Sequence, residues 1–119
     1  MEEIKTEEYT VTYDPETAVV TLEGKLRLYD YTSYQPLETM LHEAILDPVP
    51  TVTLDIQALE FINSSGLDVF FRFAHKVSRH KGTQLVVRRS NQPVPWQTKL
   101  LSTMEMMTPG LQVEIVEAE

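Results

Sequence analysis

Apolar residues recur along this chain with two periods, every second residue in some stretches and every third or fourth in others. The switching between them lays out the elements. Residues 9–13, Tyr-Thr-Val-Thr-Tyr, alternate as a half-buried strand does. Asp14-Pro15-Glu16-Thr17 is a turn, because proline presets its backbone angle and aspartate favours the turn start. Residues 18–22, Ala-Val-Val-Thr-Leu, make a second strand that pairs with the first as a hairpin. A tyrosine-bearing loop occupies 24–34. A helix then runs over about 33–46, with Pro36 in its first turn and Leu37, Met40, Leu41, Ala44 and Ile45 on one face. Asp47-Pro48-Val49-Pro50 stops it, since residues before prolines avoid the helical region.

Residues 51–56 alternate again, with Val52, Leu54 and Ile56 on one side and Thr51 and Thr53 on the other. After a loop over 57–64, a second helix spans about 65–81. Its core face is Leu67, Phe70, Phe71, Ala74 and Val77; Gly82 ends it, and His80 and Lys81 complement the negative helix end. A strand over 83–88 centres on Leu85-Val86-Val87. A third helix starts near Pro95, with Trp96, Leu100, Leu101 and Met104 inward, and residues 111–116 close the chain as a last strand. The order is β-β-α-β-α-β-α-β in one domain over residues 1–119. It predicts an α/β fold with a mixed, mostly parallel five-stranded sheet and right-handed crossovers. In such units the loops after strand ends gather on one rim. Loops 24–34 and 57–64 therefore meet, which brings Tyr29, Tyr31 and Tyr34 near Ser64.

Composition narrows the class. The chain has 119 residues, 42% hydrophobic and 24% charged, with no cysteine. That is enough for one core, excludes disulfides and thiolate metal sites, and fits a cytoplasmic protein. No apolar run is long enough to span a bilayer, and the acidic start Met-Glu-Glu-Ile-Lys-Thr-Glu-Glu is unlike a signal peptide. A formal net charge of −8 argues against nucleic-acid binding and for basic partner proteins. The local cluster of Lys76, Arg79, Lys81, Arg88 and Arg89 reads as the solvated end of a helix and the segment after it.

Catalytic patterns are missing. The four glycines form no phosphate-binding loop. His42, His75 and His80 lack metal-ligand spacing, Ser64 and Ser65 lack the Gly-x-Ser-x-Gly elbow of a hydrolase, and no carboxylate pair is fixed for acid–base work. The expectation is a protein that is not an enzyme and holds no cofactor or metal.

What remains is Asn63-Ser64-Ser65-Gly66 at a helix start. One reading is a cap: Asn and Ser side chains accept hydrogen bonds from the free N–H groups of a first turn, and Asp68, placed in that turn, favours the dipole. The other reading is a modification site, since the same free N–H groups suit a phosphate. A phosphoserine there adds nearly two negative charges, close to Asp55 and Asp68, and repels an acidic partner without unfolding the domain. Val69 and Phe73 fall beside the main core stripe of the second helix. They either form an apolar docking strip next to the serine or widen the buried face.

Leu54-Asp55-Ile56 followed by Phe61-Ile62-Asn63-Ser64-Ser65-Gly66-Leu67 resembles the signature of STAS domains, the anti-anti-sigma fold. The element order matches over nearly the whole chain. Gly24-Lys-Leu-Arg-Leu28, Tyr34-Gln-Pro36 and Pro95-Trp96-Gln97 are similar to pieces of small STAS-like regulators of cyanobacteria and related bacteria. The resemblance implies partner switching. The unmodified domain binds a serine-kinase/anti-sigma protein of the histidine-kinase-like ATPase type, the kinase phosphorylates Ser64, and a PP2C-type phosphatase resets it. ATP and metal then belong to the partners. The expected partner surface is Asn63, Ser65, Gly66, Asp68, Val69 and Phe73 with Tyr29, Tyr31 and Tyr34. Asn63 stands where the family motif has Asp; it keeps a capping oxygen and loses a charge that bears on kinase recognition. The alternative is a scaffold that uses the same surface unphosphorylated.

Overall fold

The computed structural model describes residues 2–30, 32–46, 49–80, 82–92 and 94–117. Six strands lie in one sheet in the order of the chain: β1 (Glu2–Lys5), β2 (Tyr9–Asp14), β3 (Val19–Leu26), β4 (Thr51–Ile62), β5 (Gln84–Ser90) and β6 (Gln112–Val116). β1, β2 and β3 pair antiparallel, and β3 through β6 pair parallel. The parallel strands are joined by α1 (Gln35–Ala44), α2 (Ser64–Ser78) and α3 (Pro95–Met107), and α1 is led in by a 3-10 turn, Thr32–Tyr34. The fold is therefore the mixed α/β sheet expected, with one strand more. β1 escapes the periodicity because Glu2-Glu3-Ile4-Lys5 offers a single apolar residue, and an edge strand buries little.

Each parallel strand lies beside its predecessor. Right-handed crossovers then place every helix on the same face of the sheet, and α2 touches both α1 and α3. Val11, Val20, Leu22, Val52, Leu54, Ile56, Leu85 and Val87 point under that layer and are fully buried or nearly so. A cross-sheet row on the other face runs Thr12, Thr21, Asp55, Arg88, Glu114. Arg88 pairs there with Asp55 at 3.5 Å and Glu114 at 2.9 Å.

β4 is twice as long as its alternation indicates, because residues 57–62, expected to be loop, continue the strand. Two register shifts against β3, one after Asp55 and one after Leu59, each insert an extra residue into β4. Such bulges break the period of two and re-aim side chains, so Glu60 and Phe61 are both exposed. β3 is extended too. Gly24, expected in the loop, sits in the strand opposite Tyr9 with φ +89, where a Cβ would lie 2.2 Å from the Glu8 carbonyl oxygen. Only glycine fits there. The helix-stopping role expected of Asp47 and Pro48, and the helix-end role of Lys81, fall outside the described residues.

Candidate functional site

The parallel strands end at a rim where β3 leads to residues 27–30, β4 to Asn63 and α2, and β5 to Val94 and α3. Asn63 organises it. Its backbone is extended (φ −88, ψ 178), the geometry of a helix cap. Its Oδ1 accepts from the Gly66 N–H at 3.0 Å and from the Tyr34 hydroxyl at 2.7 Å, and its Nδ2 donates to the Leu28 carbonyl at 2.9 Å. The Leu28 N–H in turn donates to Tyr34 Oη at 3.2 Å. One amide and one phenol thus tie the segment after β3 to the start of α2. Burial pushes the Tyr34 phenol above its ordinary pKa, with the Leu28 N–H opposing and Tyr9 adding to the rise.

The cap identity matters for the neighbouring serines. Asn63 supplies it, so Ser64 does not. Ser64 is the first residue of α2 and is exposed, and its hydroxyl bonds no described residue. The backbone N–H groups of Ser64 and Ser65 are likewise without a partner among the described residues, the orphan donors of a first turn. Ser65 is half-buried. Gly66 is buried because a Cβ would meet Ile62 Cγ1 at 2.6 Å and Tyr34 Oη at 2.9 Å, so α2 starts hard against β4 and the tyrosine.

Several expected partner-facing residues are instead structural. Val69 and Phe73 are 1% and 3% exposed, so they widen the buried face of α2 and form no docking strip. The reason is position: a helix flanked on both sides, by α1 and α3, buries a wider stripe than one packed on a sheet alone. Leu67 and Phe71, expected in the core, are half-buried at its margin. Tyr34 is fully buried, whereas Tyr29 is 97% exposed. Tyr31 lies outside the described residues. Asp68 sits one turn into α2, not in its first turn. Asp55 is on the bare sheet face, paired to Arg88, with Ile62 seven residues further along β4; at about 3.3 Å per residue that is roughly 20 Å from the serine.

The rim also carries two apolar residues that the periodicity did not single out, Phe61, 43% exposed, and Val94, 37% exposed. Trp96, expected inward on α3, is half-buried and donates its indole N–H to the Glu60 carbonyl at 3.1 Å. The loss of alternation after Ile56 was the available signal for Phe61. Among the described residues no group of three or more His, Asp or Glu side chains is placed to hold a metal ion, and no helix is long and apolar enough to cross a membrane.

The sequence model of the STAS domain family matches residues 8–95, most of the chain, and the protein belongs to that family. Among solved structures, a chain of the diguanylate cyclase SiaD complex with its activator SiaC from Pseudomonas aeruginosa superposes with a TM-score of 0.73 at 10% identity, covering 99% of this chain and 100% of that one. SiaC of the same organism in its own structure gives 0.70 at 11% identity, with the same coverage. An anti-sigma factor antagonist from Mycobacterium paratuberculosis gives 0.61 at 22% identity, covering 91% of this chain and 88% of that one. At these identities the structural likeness is one of fold. Among curated proteins, no sequence is similar enough to count as a match.

Proposed function

We propose that this chain is a partner-switching regulator of the anti-anti-sigma type, acting in the cytoplasm, with Ser64 as phosphoacceptor. Unmodified, it binds a serine-kinase/anti-sigma protein of the histidine-kinase-like ATPase type. Phosphorylation of Ser64 releases it, and a PP2C-type phosphatase restores it. The chain is then a substrate and a binding module, and ATP and metal stay with its partners. The observation that carries this reading is the division of labour at the start of α2: Asn63 caps the helix, which leaves the Ser64 hydroxyl exposed and unbonded beside two free N–H groups. Those donors and the positive helix end favour a phosphate. Tyr29, Phe61 and Val94 give the same rim exposed apolar surface for a partner, with Asn63, Ser65, Gly66 and Tyr34 holding its shape.

Incubation with the cognate kinase and ATP should add one phosphate by intact mass, absent in Ser64→Ala. Full labelling of Ser64→Ala would overturn the site. Because Asn63 is the cap, Ser64→Ala should change stability by less than about 0.5 kcal/mol. Ser64→Asp should weaken partner binding while the melting temperature holds, since a carboxylate suits a helix N-terminus.

A second reading, an unphosphorylated scaffold using the same rim, is favoured by Asn63, whose amide makes three structural hydrogen bonds where the family motif has a charge. A stable partner complex with no phosphopeptide under any growth condition would select it. SiaC, named as an activator bound to a diguanylate cyclase, is an instance of this fold acting on an enzyme, so a regulated output other than a sigma factor fits either reading.

A further inference from the structure

The exposed side of α2 holds a pattern that the serine alone does not explain. Ser64, Asp68, Arg72, Lys76 and His80 recur every four residues and make one ridge running from the helix start and just past its end. Residues 64–80 contain three cations (Arg72, Lys76, Arg79) and one carboxylate (Asp68), a net +2. With −8 for the whole chain, the remaining residues sum to −10. The helix is net positive on a chain whose remaining residues are net negative.

Beside the ridge, between α2 and the end of α3, lies a trough of about 320 Å³ lined by Asp68, Phe71, Arg72, His75, Lys76 and Met107. Phe71 and Met107 are half-buried, and Met106 next to them is 84% exposed. Arg72 is engaged by the Glu38 carboxylate. His75, Lys76 and Arg79 are exposed, and no ion pair to a described residue occupies them. The apolar floor of Phe71 and Met107 is bordered by Asp68 at its Ser64 end and by Lys76, with Arg79 a turn beyond, along the rest of the ridge, and an apolar helix face edged by carboxylates complements that cationic stretch.

We propose that the α2–α3 trough is a docking groove for an acidic amphipathic helix of a partner protein. The net negative charge of the remaining residues disfavours such a helix on the rest of the molecule and steers it to this stripe. The same remainder disfavours an anionic membrane as the occupant. The groove lies partly outside the family match, since Met107 follows residue 95. It rests on the Ser64 reading in one respect: a phosphate on Ser64 puts negative charge at the head of this ridge and repels the docked helix.

The probe is a fluorescein-labelled helical peptide with leucine on one face and glutamate along its borders, together with a twin carrying lysine for glutamate. Against the intact unphosphorylated protein, the glutamate peptide should bind by anisotropy and shift the amide resonances of residues 68–76 and 104–107. Lys76→Glu and Phe71→Ala, both outside the buried core, should each weaken it about tenfold or more, and the lysine twin should not bind the trough. Affinity unchanged in Lys76→Glu, equal binding of the twin, wild-type binding to phosphatidylserine vesicles in place of the peptide, or a dimer that buries the trough would each overturn the proposal. Peptide binding with no kinase labelling of Ser64 would remove the switch and keep the groove; labelling with a peptide-blind trough would do the reverse.

Discussion

Asn63 makes three hydrogen bonds through one side-chain amide, a combination that neither Ser nor Asp can reproduce. Ser has one oxygen and too short a reach; Asp can accept from Gly66 and Tyr34 but cannot donate to the Leu28 carbonyl. Asn63→Asp should therefore lose about 1 kcal/mol net, the broken donor outweighing the gain at the helix dipole, and Asn63→Ala about 2–3 kcal/mol. Denaturant midpoints at constant slope measure both. Tyr34 adds a pH dependence. Its folded pKa is raised above that of the unfolded chain, so its stabilisation is complete below about pH 10 and is lost as pH rises through the folded value. Thermal melts should fall above that pH, and less steeply in Tyr34→Phe, although Tyr9, also raised by burial, keeps part of the slope. A cap within Asn63-Ser64-Ser65-Gly66 was legible in the sequence. Which of three adjacent cap formers takes the role was not, because that depends on where the backbone leaves the extended region and on Leu28 and Tyr34, which are distant in sequence.

The elements show the same division between what is local and what is not. Alternation and helical periodicity placed β2 to β5 and all three helices, since each buries one clear face; β6 was also expected, although none of its residues is fully buried. They failed along β4 after Ile56, where two bulges move the apolar residues out of step. β4 and β5 also part there: the ladder covers only Thr51 to Asp55 against Gln84 to Arg88. Residues 57–62 thus have a strand neighbour on the β3 side alone. In native-state hydrogen exchange, the amide of Glu60, the residue inserted at the second bulge, should exchange well ahead of those of Val52 and Leu54. Equal protection along the strand would contradict the fork. The burial of Val69 and Phe73 is a lesson of the same sort, because the width of an apolar stripe reflects how many neighbours a helix has, which no window on the helix alone contains.

At the scale of the molecule, charge is the dominant unbalanced term. A net charge of −8 is held on a body with a radius of gyration of 13.2 Å. Raising salt from about 10 mM to about 150 mM shortens the screening length from about 30 Å to about 8 Å. Self-repulsion should shrink and the melting temperature should rise by a few degrees. A fall would instead give the exposed pairs Arg27–Glu8 and Arg88–Glu114 more weight than such pairs usually carry. The sequential strand order has a consequence for biosynthesis. No strand has to be threaded between two that are already paired. A chain leaving the ribosome can lay each strand against the one made just before it, starting from the β1–β2–β3 meander, whose pairings need nothing downstream. The sheet can grow from one edge in the direction of translation, so the Leu28–Tyr34–Asn63 part of the Ser64 rim can form before β5, Val94, α3 and the α2–α3 trough exist.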